Sequence, residues 1–334
     1  MSFIYNVTQN DTMKYWSKKL KGKWYRLLFL LTKNIEIDIF LKNHLVQTNL
    51  QNKDINICLS NSDYKNNIVN EDKNSIVVII PIFIRDNMGI KQLSNLIKSL
   101  KCQTFKPKAI ILVDDGSTIK YKCHNIDNLD VIKLQNNNGP AYARNIGIEK
   151  AINNYNARII AFTDSDVMVS KEWVENIFNG FKNNPQAAAL SGHTYSFGHT
   201  WLDKYHNING TLNGRVFKDT NMLLYAPTCN LSIISDCFKN IQFDCNFPLS
   251  AGEDIHFCFQ FLQKKLPIIY HKEMIVYHDF GYSSFRFIKN YVKFKKLFIK
   301  YAKGENILLS KILNYYSYLE LTREISNIDF TIIL

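Results

Sequence analysis

From Ser75 onward the chain alternates between continuous apolar runs and segments with helical spacing. Ile76-Val77-Val78-Ile79-Ile80 is wholly β-branched and offers no polar face, the texture of a strand covered on both sides in a parallel sheet. Pro81 ends that run, and Leu93, Leu96, Ile97 and Leu100 then recur at the spacing of one helix face. Ala109 to Val113 reads as a second buried strand and Val131 to Leu134 as a short third one. The spacing predicts a helix over 140–153, with proline in its first turn, and a fourth strand over 158–162. Strand, helix and strand in alternation imply a doubly wound α/β sheet, whose ligands bind beyond the carboxyl ends of the strands. Further on the pattern weakens. A helix is expected over 254–264, a strand over 268–277, and helical structure from Phe285 to about Ile325.

The first 74 residues differ. They are rich in Asn, Lys and Asp, hold one basic-aromatic patch from Lys14 to Arg26, and become linker-like from Gln51 to Asn74. Three parts follow: an extension over 1–74, partly helical, a catalytic domain over 75–280 and a helical segment over 281–334. No run of about 18 apolar residues exists to span a membrane. Leu27 to Leu31 is too short and too far from Met1 for a signal peptide.

Composition narrows the partners. With 46% hydrophobic and 21% charged residues, a packed core is expected over most of the 334-residue chain. Net charge is +12, from 41 Lys and Arg against 29 Asp and Glu, which attracts anionic partners. No nucleic-acid-binding signature accompanies that excess, so acidic lipid and phosphorylated small molecules are preferred to nucleic acid. Seven irregularly spaced cysteines contain no C-x-x-C pair and read as reduced, packed thiols, which favours a cytoplasmic location.

Four motifs carry candidate chemistry. Asp164-Ser165-Asp166 follows the fourth strand, where two carboxylates can face a hard divalent cation that takes its other ligands from phosphate and water. Asp114-Asp115-Gly116-Ser117 closes the second strand, with carboxylates able to accept hydrogen bonds from a base or ribose. Gly139-Pro140-Ala141-Tyr142-Ala143-Arg144 opens a helix of small residues and sets Arg144 one turn in, within reach of a phosphate or ribose. Gly252-Glu253-Asp254 sets a carboxylate at a helix start, suited to take a proton from a hydroxyl or merely to complement the helix dipole. Singly, each of these is a common turn or cap.

Taken in order, D-D-G-S, G-P-A-Y-A-R-N-I-G, D-S-D and G-E-D resemble the inverting family-2 glycosyltransferases of the GT-A fold, over about 75–280. The resemblance implies a mixed, Rossmann-like sheet flanked by helices, with an N-terminal extension and C-terminal helices added here. It also implies a nucleotide-sugar donor, UDP-sugar favoured, and a Mn2+ or Mg2+ cofactor. By that resemblance Pro81, Phe83 and Asp115 contact the base with Arg144 nearby. Asp164 and Ser165 meet the rest of the donor, with Asp164 facing the ribose. Asp166 and His278 hold the metal, His278 fitting better than His271. Asp254 is the base and Glu253 orients the acceptor. Phe83 and Ile84 stand where members often carry Tyr and Asn, which keeps base stacking but loses a hydroxyl contact. No Q-x-x-R-W follows Asp254, so transfer of a single sugar is implied rather than polymer synthesis. The acceptor stays open among glycan, lipid-linked, peptide and small-molecule classes.

Two other readings fit parts of the pattern: a sugar-phosphate nucleotidyltransferase, although the loop after the first strand has one glycine, and a membrane-docked binding module without turnover. Within 285–303, Phe287, Ile288, Tyr291, Val292, Phe294, Leu297, Phe298 and Tyr301 share a helical pattern with at least seven basic residues. Such a helix either packs on the core with lysines in water, or lies on an anionic membrane surface with the Lys14–Arg26 patch beside it.

Overall fold

The computed structural model describes residues 64–68, 75–122, 128–247, 250–312 and 315–325. The Lys14–Arg26 patch, the Leu27–Leu31 run, Cys58 and Cys123 lie outside them.

Four parallel strands form one half of the main sheet: β1 (Ile76–Ile82), β2 (Ala109–Asp114), β3 (Leu129–Lys133) and β4 (Ile159–Phe162). Every residue of β1, β2 and β4 is buried, as their unbroken apolar runs require, whereas β3 at the sheet edge is only half-buried. Helix α1 (Asn87–Lys101) crosses from β1 to β2 and buries Leu93, Leu96, Ile97 and Leu100, the residues expected from the spacing. Asp86 caps it by accepting from the Gly89 N–H at 2.9 Å. Helix α2 (Pro140–Tyr155) crosses from β3 to β4. Gly147 lets it lie close on β1, because a Cβ there would come within 2.5 Å of Ile79 Cγ2.

The other half of the sheet is mixed. β5 (Val167–Val169), β6 (Ala189–Ser196), β9 (Leu231–Ile234) and β10 (Ile268–His278) extend it to the order β3-β2-β1-β4-β9-β6-β10-β5, with β7 (Arg215–Phe217) and β8 (Leu223–Tyr225) set apart. β9 runs antiparallel to both β4 and β6, and β10 runs parallel to β6. Helices α3 (Trp173–Asn183), α4 (Trp201–Asn209) and α5 (Glu253–Gln263) complete this half. Trp173 is a core residue, fully buried, with its indole N–H donating to Asn230 Oδ1 at 2.9 Å.

The C-terminal segment is not helical throughout. Helix α6 (Phe287–Lys311) and the short α7 (Tyr315–Glu320) lead into a strand, β11 (Thr322–Glu324), antiparallel to β7. Only pairing makes Thr-Arg-Glu a strand. Arg215 fixes that pairing by donating from Nε to Thr322 Oγ1 at 2.8 Å and from Nη1 to Glu324 Oε1 at 2.7 Å. A second apolar cluster forms where Leu308, Leu309 and Ile312 meet Phe217, Leu224 and Phe247.

Candidate active site

A cleft of about 720 Å³ opens beyond the carboxyl ends of β1 and β4 and is closed on the far side by α6. Phe83, Arg144, Asp164, Ser165, Asp166, Glu253, Asp254 and His278 all line it. Five segments distant in sequence therefore deliver eight of the ten predicted residues to one cavity.

Pro81 and Asp115 are placed differently. Pro81 is buried within β1, paired in register with Val113. Asp115 is 3% exposed, and both of its carboxylate oxygens accept backbone N–H groups, from Asn138 and from Gly139, at 2.8 Å each. Burial raises its pKa, against which those two hydrogen bonds act. Asp114 is also engaged, accepting from Ser117 N–H at 2.9 Å and from the Tyr121 hydroxyl at 2.7 Å. The D-D-G-S turn thus ties strand ends together: Ser117 Oγ accepts the Ile84 N–H at 2.8 Å, and Gly116 at φ 75° passes where a Cβ would meet the Asn136 backbone. The glycine turn that opens α2 is held in place by Asp115. Phe83 remains at the cleft, with the Arg85 guanidinium 5.4 Å from its ring centre.

Arg144 sits at the centre of a buried ionic triad. Its Nη2 lies 2.9 Å from Asp164 Oδ1 and its Nη1 lies 3.2 Å from Glu253 Oε1, with Arg144 2% and Glu253 3% exposed. Burial works against its charge, but the two carboxylates outweigh that and hold its pKa above the ordinary value. The side chain expected to reach a phosphate or ribose thus joins the D-S-D turn to the G-E-D helix start. The ring of Phe243 stacks 5.6 Å from the guanidinium carbon.

Glu253 and Asp254 begin α5 after Gly252, which caps the helix with φ 89°. Burial raises the Glu253 pKa, with Arg144 opposing. Asp254 is pushed up to about 7, first by burial and then by the Glu253 charge beside it. A carboxyl tuned to neutrality can exchange a proton with a hydroxyl under ordinary conditions.

The remaining acids suit a cation. Asp166 Oδ1 stands 3.4 Å from His278 Nε2, and the Asp279 N–H donates to the Asp166 carbonyl at 2.7 Å, which fixes the end of β10 against the D-S-D turn. Burial raises the Asp166 pKa and Asp164 adds to it, while His278 counteracts both. His278 Nδ1 is buried without a hydrogen-bond partner. No group of three or more metal-ligating side chains occurs among the described residues. An Asp–His pair is the smaller protein contribution expected of a Mg2+ or Mn2+ that fills its sphere with phosphate and water. His271 faces Glu273 instead, at 3.3 Å.

The far wall was not foreseen. Lys293, Lys296 and Lys300 line the cleft from α6, and Lys300 Nζ donates to Ser250 Oγ at 2.8 Å. The sequence pattern alone places these three lysines in water or on a membrane surface, not in the cleft. Tyr301 shares this wall, its pKa raised by burial and then by the nearby Asp254 charge. The signal was present, since positions 289, 293, 296, 300 and 303 repeat at helical spacing, but a lysine stripe does not say which surface it meets.

Residues 77–238 match the family described as Glycosyl transferase family 2. An uncharacterized glycosyltransferase of Rickettsia conorii is 32% identical over 71% of this chain and 33% of its own length. The pre-mycofactocin glycosyltransferase of Mycobacterium tuberculosis is 23% identical over 61% of this chain and 42% of its own length. The chain thus spans a third to less than half of these relatives. A solved structure of Staphylococcus aureus TarS 1-349 aligns at 18% identity and TM-score 0.45 over 72% of each chain. Sheet, strand-end carboxylates and sequence match together define a glycosyltransferase domain with the GT-A architecture. More narrowly, residues 77–238 form a domain of glycosyl transferase family 2.

Proposed function

We propose that the cleft moves a single sugar from a nucleotide-sugar donor, a UDP-sugar by preference, to an acceptor hydroxyl with inversion at the anomeric carbon. The observation that carries this reading is the convergence of Asp164, Asp166 and His278 with the Glu253–Asp254 pair on one cavity. The catalytic domain spans 75–280, and the enzyme works in the cytoplasm. Phe83 stacks on the base; Pro81 and Asp115 act indirectly, by shaping the strand ends. Asp164 and Ser165 meet the donor, with Arg144 fixing Asp164.

Asp166 and His278 would hold Mn2+ or Mg2+, which when bound supplies positive charge against the departing diphosphate. Asp254 accepts the acceptor proton as the acceptor oxygen bonds to the anomeric carbon. The bond from that carbon to the diphosphate oxygen breaks on the opposite face. Glu253, held by Arg144, orients the acceptor beside it.

The test is nucleotide release from a panel of nucleotide sugars with manganese present. UDP release from one donor, abolished by chelator and by Asp166→Ala, is the expected result. Full activity in chelator removes the metal assignment. Pyrophosphate release from a nucleoside triphosphate and a sugar phosphate would identify a nucleotidyltransferase instead.

A further inference from the structure

Helix α6 divides into unlike stripes. At roughly 100° per residue, Phe287, Tyr291, Ile288 and Val292 cover one side of its first two turns. The lysines at 289, 293, 296, 300 and 303 lie together on the adjoining side. Phe294 and Phe298, further along, are buried, packed with Leu202 and Tyr205 of α4. The opening turns keep their apolar side chains in solvent: Phe285 is 98% exposed, Ile288 78% and Phe287 64%. Trp201 at the start of α4 extends the patch, 48% exposed, with its ring centre 5.8 Å from that of Phe287. A contiguous apolar surface of this kind marks an interaction site.

Its charges indicate the partner. Arg286 and Lys289 are interleaved with the exposed apolar residues, Lys204 follows one turn after Trp201, and no acidic residue occurs between Asp279 and Glu305. None of these apolar side chains lines the cleft, and among the described residues no helix is long and apolar enough to cross a membrane. Exposed apolar side chains interleaved with cations match the boundary between headgroups and acyl chains of an anionic bilayer.

We propose that Phe285, Phe287, Ile288, Tyr291, Val292 and Trp201 dock the protein onto an anionic lipid bilayer, with Arg286, Lys289 and Lys204 meeting the headgroups. Lys293, Lys296 and Lys300 of the adjoining stripe line the cleft, so docking brings the cleft mouth to the membrane surface, where an acceptor carried on a lipid would present its hydroxyl. Docking does not depend on the transfer reaction, and the two are measured separately.

The experiment is flotation of the full chain with vesicles of phosphatidylcholine, with and without phosphatidylglycerol, at low and high salt. Binding is expected only with the anionic lipid and weakens with salt. The double variant Phe285→Ser/Ile288→Ser should bind at least about tenfold more weakly, with unchanged thermal melting. Vesicle-free release of nucleoside diphosphate from a nucleotide sugar should also stay unchanged in that variant. Lipids brominated near the headgroup should quench tryptophan fluorescence, and Trp201→Phe should remove most of that quenching. Wild-type protein that stays off anionic vesicles at low salt overturns the proposal. Equal binding by wild type and double variant also overturns it, since net charge elsewhere would then be the cause. Self-association lost in the double variant, without vesicle binding, would assign the patch to a second copy of the chain.

Discussion

On one wall of the cleft, Asp164 and Asp166 follow a strand whose four residues are all fully buried; on the other, Lys293, Lys296 and Lys300 project from a helix whose opening turns stand in solvent. The first wall is fixed from behind. β4 is hydrogen-bonded between β1 and β9, and the Arg144 triad then sets the direction of Asp164. The second wall is held by two aromatic rings against α4, by one lysine hydrogen bond to Ser250 and, only at its far end, by Leu308 and Leu309 in the second apolar cluster. Chemistry that needs carboxylates in set positions occupies the rigid wall. Flexible cations, which tolerate a moving or variable anion, occupy the other.

This contrast can be broken first at its most rigid point. Arg144→Met leaves Glu253 buried without its cation, and a loss of about 3–5 kcal/mol is expected in urea unfolding at neutral pH. A loss below about 1 kcal/mol would mean that the triad does not hold the wall. Next in size is Asp254→Asn, which keeps shape but cannot accept a proton. Turnover should fall by about 10² or more while donor KM stays near wild type; retained turnover would move the base to Glu253. The same residue sharpens the comparison through pH. Its raised pKa means the proton-accepting form is lost as pH falls, so kcat/KM should drop by about tenfold per unit below about pH 7 and level off above it. The asparagine variant should lack that limb. The smallest effect belongs to the lysine wall: Lys296→Ala should raise KM by no more than about fivefold, the range of an exposed charge contact, with stability unchanged. A loss of turnover as large as that of Asp254→Asn would place Lys296 among the reacting groups and end the distinction.

What could be read from the sequence follows the same division. β1, β2 and β4 are unbroken β-branched or aliphatic runs, and α1 buries its periodic leucines and isoleucine, because both faces of the strands and one face of the helix meet the core. The acids at the strand ends were legible for that reason: a motif just beyond a buried strand has a known direction. The motif marks Asp115 as a strand-end carboxylate, but that its oxygens also accept backbone N–H groups of another motif, 23 residues away, is nothing periodicity reveals. Arg144 likewise looked like a phosphate ligand until two acids from other segments enclosed it. For α6 the pattern identified a helix and no more. Its apolar and basic residues alternate closely enough that only tertiary packing distinguishes the buried Phe294 from the exposed Ile288.

The crossing of α6 over the loop before α5 limits how this cleft can change. Gly304 lies against Ala251, so close that a Cβ on Gly304 would fall 2.2 Å from the Ala251 carbonyl oxygen, and a Cβ on Gly252 would fall 2.9 Å from the Gly304 carbonyl oxygen. The lysine wall and the helix carrying Asp254 are therefore joined backbone to backbone, with no side chain between them to act as a spacer. Redesign for a bulkier acceptor has to trim side chains such as Lys296, because moving α6 outward would open the backbone contact beside the proton acceptor.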